Sequence, residues 1–119
     1  LDIIVSNCGQ PPILMRNDGG NRNHWIAIKA RGRESNSFGV GARVKVEAGG
    51  KTQVKEIYSA GSYLSGGDLR LYFGLGGERK IKQVEILWPS GKKQTLNDVA
   101  ADQTLSLDEA QAQKKLNVP

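Results

Sequence analysis

Apolar and polar residues alternate one for one along short runs of this chain, and no other feature limits its fold so strongly. In GARVKVEA, Ala42, Val44 and Val46 point one way while Arg43, Lys45 and Glu47 point the other. A period of two belongs to a strand with one dry and one wet face, because successive side chains leave a pleated backbone on opposite sides. LRLYFGL repeats the pattern, setting Leu69, Leu71 and Phe73 against Arg70 and Tyr72. HWIAIKA turns Ile26 and Ile28 inward and Trp25, Ala27 and Lys29 outward. Val84, Ile86 and Trp88 align in VEILWP, as do Leu105 and Leu107 in QTLSLDE.

Turn chemistry separates these runs. The chain has 15 Gly but only 4 Pro and no repeat, which points to many tight reversals rather than to a collagen-like or disordered chain. Gly49-Gly50 in EAGGKT is a two-residue hairpin signal. Pro89, Ser90 and Gly91 mark a second reversal, GLGGERK reads as a third hairpin, and NDGGNRN as a further connection. Gly39, Gly41, Gly74 and Gly76 flank strands, where positive φ or close strand approach is expected. Alternation slips between Val54 and Ile57, which predicts a β-bulge there. Only LDEAQAQKKLNVP is rich in helix formers, so a short helical or frayed tail is expected at the C-terminus. The expected fold is all-β: an antiparallel sandwich or barrel-like module of about six to eight short strands.

A chain of 119 residues supports one core. Its net charge of +5 raises the question of an anionic partner. The basic residues are spread singly along strands, which reads as ordinary solubility, and a nucleic-acid partner is not expected. Cys8 is the single cysteine, which excludes an internal disulfide and a cysteine-rich zinc site. No apolar run approaches the roughly 20 residues that span a bilayer as a helix.

Signals for catalysis are weak. His24 is the one histidine and no nucleophile-elbow motif accompanies it, so it reads as a strand-end histidine bonded to backbone. HExxH, CxxC and EF-hand patterns are absent from the sequence. GLGGER and GVGARV lack the helix that a phosphate-cradling loop leads into. Asp68, Glu78, Glu85, Asp98 and Asp102 come singly, whereas a glycoside hydrolase needs two carboxylates at a fixed separation. Aromatic residues carry more information. Trp88 reads as core beside Val84 and Ile86. Trp25, Tyr63 and Tyr72, with Arg70 nearby, are the candidate ligand-binding residues, since sugar rings stack their apolar faces on indole and phenol.

The strings NHW, GVGARV, SYLS, LRLYFGLG and WPSG occur in that order between Asn21 and Glu109, and together they resemble the ASPIC/UnbV domain. Gly66-Gly67 stands where members of that family often carry Gln. The resemblance implies a non-enzymatic, extracellular or cell-surface accessory module joined to a β-propeller of FG-GAP/VCBS repeats. LDIIVSN then resembles the end of such a repeat. Residues 1–20 are expected to close that repeat or link to it, 21–109 to form the β-domain and 110–119 a tail. Asp2 matches the last aspartate of a calcium loop whose other ligands would precede Leu1. One carboxylate cannot supply the six to eight oxygens calcium takes, so no metal or other cofactor is expected within the chain itself.

The expected function is to brace the propeller and to mediate adhesion to a matrix or cell-surface protein or polysaccharide. Homo-oligomerisation through the exposed N-terminal strand belongs to the same expectation. The alternative is a carbohydrate-binding module using the exposed aromatics, and behind it stands a polysaccharide-acting enzyme.

Overall fold

The computed structural model describes residues 2–19, 22–59 and 69–112. Among these, nine strands follow one another along the chain: β1 (Ile3–Val5), β2 (Ile13–Met15), β3 (His24–Arg31), β4 (Arg43–Ala48), β5 (Lys51–Glu56), β6 (Leu71–Gly76), β7 (Lys80–Leu87), β8 (Lys93–Ala100) and β9 (Gln103–Asp108). One 3₁₀ turn, Glu109–Gln111, stands near the end of the described chain, and the rest of the helix-forming tail, 113–119, lies outside the described residues. The all-β expectation holds, and β1 and β2 are additional to the strands read from alternation.

Two sheets make the body. One has four strands in the order β5-β4-β7-β8, all antiparallel. The other has three in the order β6-β3-β9, with β3 antiparallel to β6 and parallel to β9. That parallel pair is invisible to alternation, which reports faces and not neighbours. Between the sheets lie Ile26, Ile28, Phe73 and Leu107 from the smaller one and Val44, Val46, Val84, Ile86 and Trp88 from the larger. Each such side chain contributes about 1.5–3 kcal/mol by leaving water. The assignment of Trp88 to the core is therefore correct.

Three local expectations are corrected. The Val54/Ile57 slip produces no bulge: β5 keeps an even register with β4, and the Ile57 N–H donates to Ala42 O at 3.0 Å in continuation of it. The slip arises because β5 turns Gln53, Lys55 and Ile57 inward and leaves Val54 exposed. The register break lies instead at His24/Trp25, between β3 and β6. GLGGERK is not a hairpin, since β6 and β7 belong to different sheets and the turn carries the chain across the sandwich. Gly74 has neither positive φ nor a close neighbour, whereas Gly39, Gly41 and Gly76 do lie at positive φ. The Gly49-Gly50 reversal is as expected, with φ of 58° and 75° and Ala48 paired to Lys51, the left-handed pair that suits the twist of a hairpin.

The N-terminal strand is not alone either. β1 pairs with β2 as an antiparallel hairpin, and every residue of both strands is exposed. The Asp2 carboxylate closes its open end by accepting the Asn17 N–H at 2.8 Å. The chain extends over 60 × 34 × 19 Å.

Candidate functional site

The outward face of the three-stranded sheet gathers most of the residues singled out from the sequence. Register places Ala27 of β3 beside Tyr72 of β6 and Thr104 of β9, and Trp25 beside Gly74. One step further along β3, Lys29 lies beside Ser106, and then Arg31 beside Asp108. Alternation therefore sends Trp25, Lys29 and Arg31 to the same side as Tyr72, Arg70, Thr104 and Ser106. Ala27 also faces this side yet is fully buried, because its longer neighbours cover it.

Trp25 remains 40 % exposed, while Tyr72 is half-buried. The Arg70 guanidinium sits 5.5 Å from the centroid of the Tyr72 ring, a cation–π pairing that settles both side chains. Tyr63 lies outside the described residues, so three of the four candidates, Trp25, Arg70 and Tyr72, are brought together on one face. Beside them an open groove of about 580 Å³ is lined by Lys29, Phe38, Leu69, Arg70, Thr104 and Ser106. A smaller recess of about 230 Å³ continues from it past Arg31 toward Asp108.

Lys29, Arg31, Thr104, Ser106 and Phe38 were not singled out from the sequence as ligand residues. A signal for the first two was present: positions 25, 27, 29, 31 and 33 read Trp, Ala, Lys, Arg, Arg, a basic stripe at strand period. The hydroxyls became neighbours only through the parallel β3–β9 pairing.

At one end of the face, a dense hydrogen-bond knot anchors the sheet to its loops. Asp108 takes two bonds from the Arg33 guanidinium, at 3.1 and 2.8 Å, and one from the Ala110 N–H at 2.9 Å. The Arg33 bond and then the Ala110 N–H hold its carboxyl down at about 2. Glu109 is fully buried. It accepts from the backbone N–H groups of Arg33 and Ser35 at 2.6 and 2.9 Å and from the hydroxyls of Ser35 and Ser90. Burial alone would push its pKa up, but the hydrogen bonds from Ser90, Arg33 and Ser35 outweigh it and bring the carboxyl down to about 2.

At the other end, His24 Nδ1 lies 2.7 Å from Asp102 Oδ2, with Asp102 at φ 61°. The Asp102 N–H donates to Trp25 O at 2.6 Å and its Oδ1 accepts the Trp25 N–H at 3.3 Å. His24 thus pairs with a carboxylate rather than with backbone, and the pair pins the β8–β9 corner to the register break in β3. No group of three or more His, Cys, Asp or Glu side chains is placed to hold a metal ion among the described residues. Among the same residues, no helix is long and apolar enough to cross a membrane.

Fold and face together define a β-sandwich module with one uncovered, basic and aromatic sheet surface. The chain belongs to the ASPIC and UnbV family, whose sequence model matches residues 32–114. It is also 30 % identical over 112 residues to human cartilage acidic protein 1, a match covering 91 % of this chain and 17 % of that protein. The chain thus spans about a sixth of the length of this relative. β3, the central strand of the smaller sheet, precedes the family match.

Proposed function

We propose that the chain is a non-catalytic, extracellular interaction module whose contact surface is the outward face of the β6-β3-β9 sheet. The observation that carries this reading is the gathering of Trp25, Tyr72, Arg70, Lys29 and Arg31 on one side of one sheet. The opposite sheet supports the assignment by contrast, since several of its cations sit beside acids, as in Lys93–Glu85 at 3.2 Å and Lys82–Glu47 at 3.6 Å. A polysaccharide-acting enzyme is less well supported, because Asp108 and Glu109, adjacent carboxylates near the groove, are committed to Arg33 and to the Ser35–Ser90 knot. A carbohydrate ligand is the second reading, favoured by the part-exposed indole of Trp25 on the same sheet face as the groove.

The β1–β2 hairpin serves as the brace. Residues 1–20 close or adjoin a preceding propeller repeat, 21–109 form the β-domain and 110–119 a tail. Six exposed apolar side chains on two strands, none of them part of the buried core, support a docking role. Asp2 becomes a calcium ligand only when an upstream repeat supplies the remaining oxygens; in the chain itself its carboxylate is taken by Asn17. In isolation, two copies pair through the hairpin.

The test is adhesion of the chain to an extracellular-matrix surface, with variants on each sheet face. Lys29→Glu with Arg31→Glu is expected to abolish retention, and Lys45→Glu on the opposite face to leave it unchanged. Equal loss from both faces would end the assignment of the surface.

A further inference from the structure

Resting on that reading of the surface, we infer that its partner is an anionic polysaccharide, sulfated or uronate-bearing, laid along the groove beside Lys29. The argument starts from charge. Lys29 and Arg31 stand two residues apart on β3, roughly 7 Å along the strand. Arg70 immediately precedes β6, one step beyond the Ile28–Leu71 pair, and lines the same groove as Lys29. Lys29 has no carboxylate partner among the described residues. Among the described residues, Asp108 is the acid that lines this surface; Arg33 gives it two bonds and a matching positive charge, so the charges of Lys29 and Arg31 remain in excess. A short row of cations therefore matches a row of anions repeated along an extended chain.

The remaining groups select the class of polyanion. Thr104 and Ser106 place two hydroxyls on the groove wall, which suit the hydroxyls and ring oxygens of a sugar. Trp25 presents a part-exposed indole further along the same face, and a pyranose stacks its apolar face on such a ring. The Tyr72 ring is already covered by the Arg70 guanidinium, so successive bases of a nucleic acid would find one ring rather than a row of them. An acidic peptide would use the cations but neither the hydroxyl wall nor the indole. The groove, at about 580 Å³, falls in the size range of small-ligand sites and is open enough for a chain to run through.

The experiment is an amide and indole NMR titration of the whole chain with four probes of equal length: a heparin hexasaccharide, neutral maltohexaose, hexaglutamate and hexathymidylate. Heparin alone is expected to shift the Trp25 indole and the amides of Lys29, Arg31, Thr104 and Ser106. Lys29→Ala with Arg31→Ala should weaken that binding roughly tenfold or more, since each substitution removes a charge-assisted contact. Thr104→Val, which leaves every charge in place, should weaken heparin and not any residual hexaglutamate binding. Maltohexaose shifting the same residues as strongly would overturn the requirement for anions. Hexaglutamate or hexathymidylate matching heparin would reduce the surface to a generic cation patch and also overturn the inference. Glycan lyase treatment of the matrix separates this inference from the broader one. Adhesion that survives the lyase and is still abolished by Lys29→Glu with Arg31→Glu leaves an interaction module with a protein partner. Adhesion that neither lyase nor substitution affects overturns both.

Discussion

Glu109 is the residue on which the most separate pieces of chain depend. It ties the Arg33–Ser35 loop, the Ser90 turn and the end of β9 to one carboxylate. Its folded pKa of about 2 lies below the ordinary value of 4.5, so its stabilising effect is complete above pH 4.5 and disappears as pH falls toward 2. Glu109→Gln is expected to cost about 3 kcal/mol at pH 7, since an amide must leave buried donors facing its NH₂ group. A fall in melting temperature on the order of 10 °C follows. The variant should also lose less stability than the parent between pH 5 and pH 2.5, and parallel acid melting curves would contradict the role assigned to this carboxylate. Gly32 is a second such residue, because a Cβ there would collide with the Asn36 carbonyl, whose loop is fixed by reciprocal Asn36–Val40 bonds at 2.8 and 2.9 Å. Gly32→Ala is expected to cost about 2 kcal/mol by chemical denaturation. Gly50→Ala, with open space around the Cβ but φ of 75°, should cost about 1 kcal/mol from backbone strain alone.

Among the elements, the seam between β5 and β6 shows what alternation can and cannot reveal. Both are edge strands of their sheets. The Gln53 amide donates to Gly74 O at 2.8 Å, and Lys55 Nζ donates to Tyr72 O while lying 5.1 Å from the Phe73 ring centroid. Inward-pointing polar side chains thus cap the open edge of β6, one of the ways a sheet avoids pairing with foreign strands. That is why the Val54/Ile57 pattern misled: a strand whose inward face carries Gln and Lys breaks the rule that apolar means inside. The central strands were legible because both of their neighbours are protein, so that Val44, Val46, Val84 and Ile86 face the core without exception. β1 was legible as a strand from its apolar run, but its partner β2 was not, since with no core beneath it neither face is obliged to be polar. The candidate site was half legible. Trp25, Tyr72 and Arg70 follow from outward alternation, but Thr104 and Ser106 joined them through a parallel pairing that no local pattern encodes. Ile4→Lys with Leu14→Lys is expected to abolish concentration-dependent self-association in light scattering and to leave the melting temperature unchanged. A coupled fall in stability would place the hairpin inside the folding unit instead.

Over the whole molecule, the hairpin separates shape from stability. A compact chain of this length has a radius of gyration of about 13.5 Å, whereas this one reaches 16.3 Å. The core that resists unfolding is shared between the two larger sheets, and no residue of β1 or β2 belongs to it. The extension therefore costs apolar exposure without contributing to the sandwich, an arrangement that suits a chain whose relative is several times longer. Removal of residues 1–19 is expected to lower the radius of gyration of the dilute monomer in small-angle scattering to about 13 Å. The same truncation should leave the thermal unfolding midpoint within about 2 °C and the heparin-induced shifts at Trp25 and Lys29 intact. A truncated chain that shrinks and keeps both properties makes the sandwich an autonomous unit with its binding face complete. A chain that melts early makes the hairpin part of the fold, and the brace then acts inward on its own domain rather than outward on a neighbour.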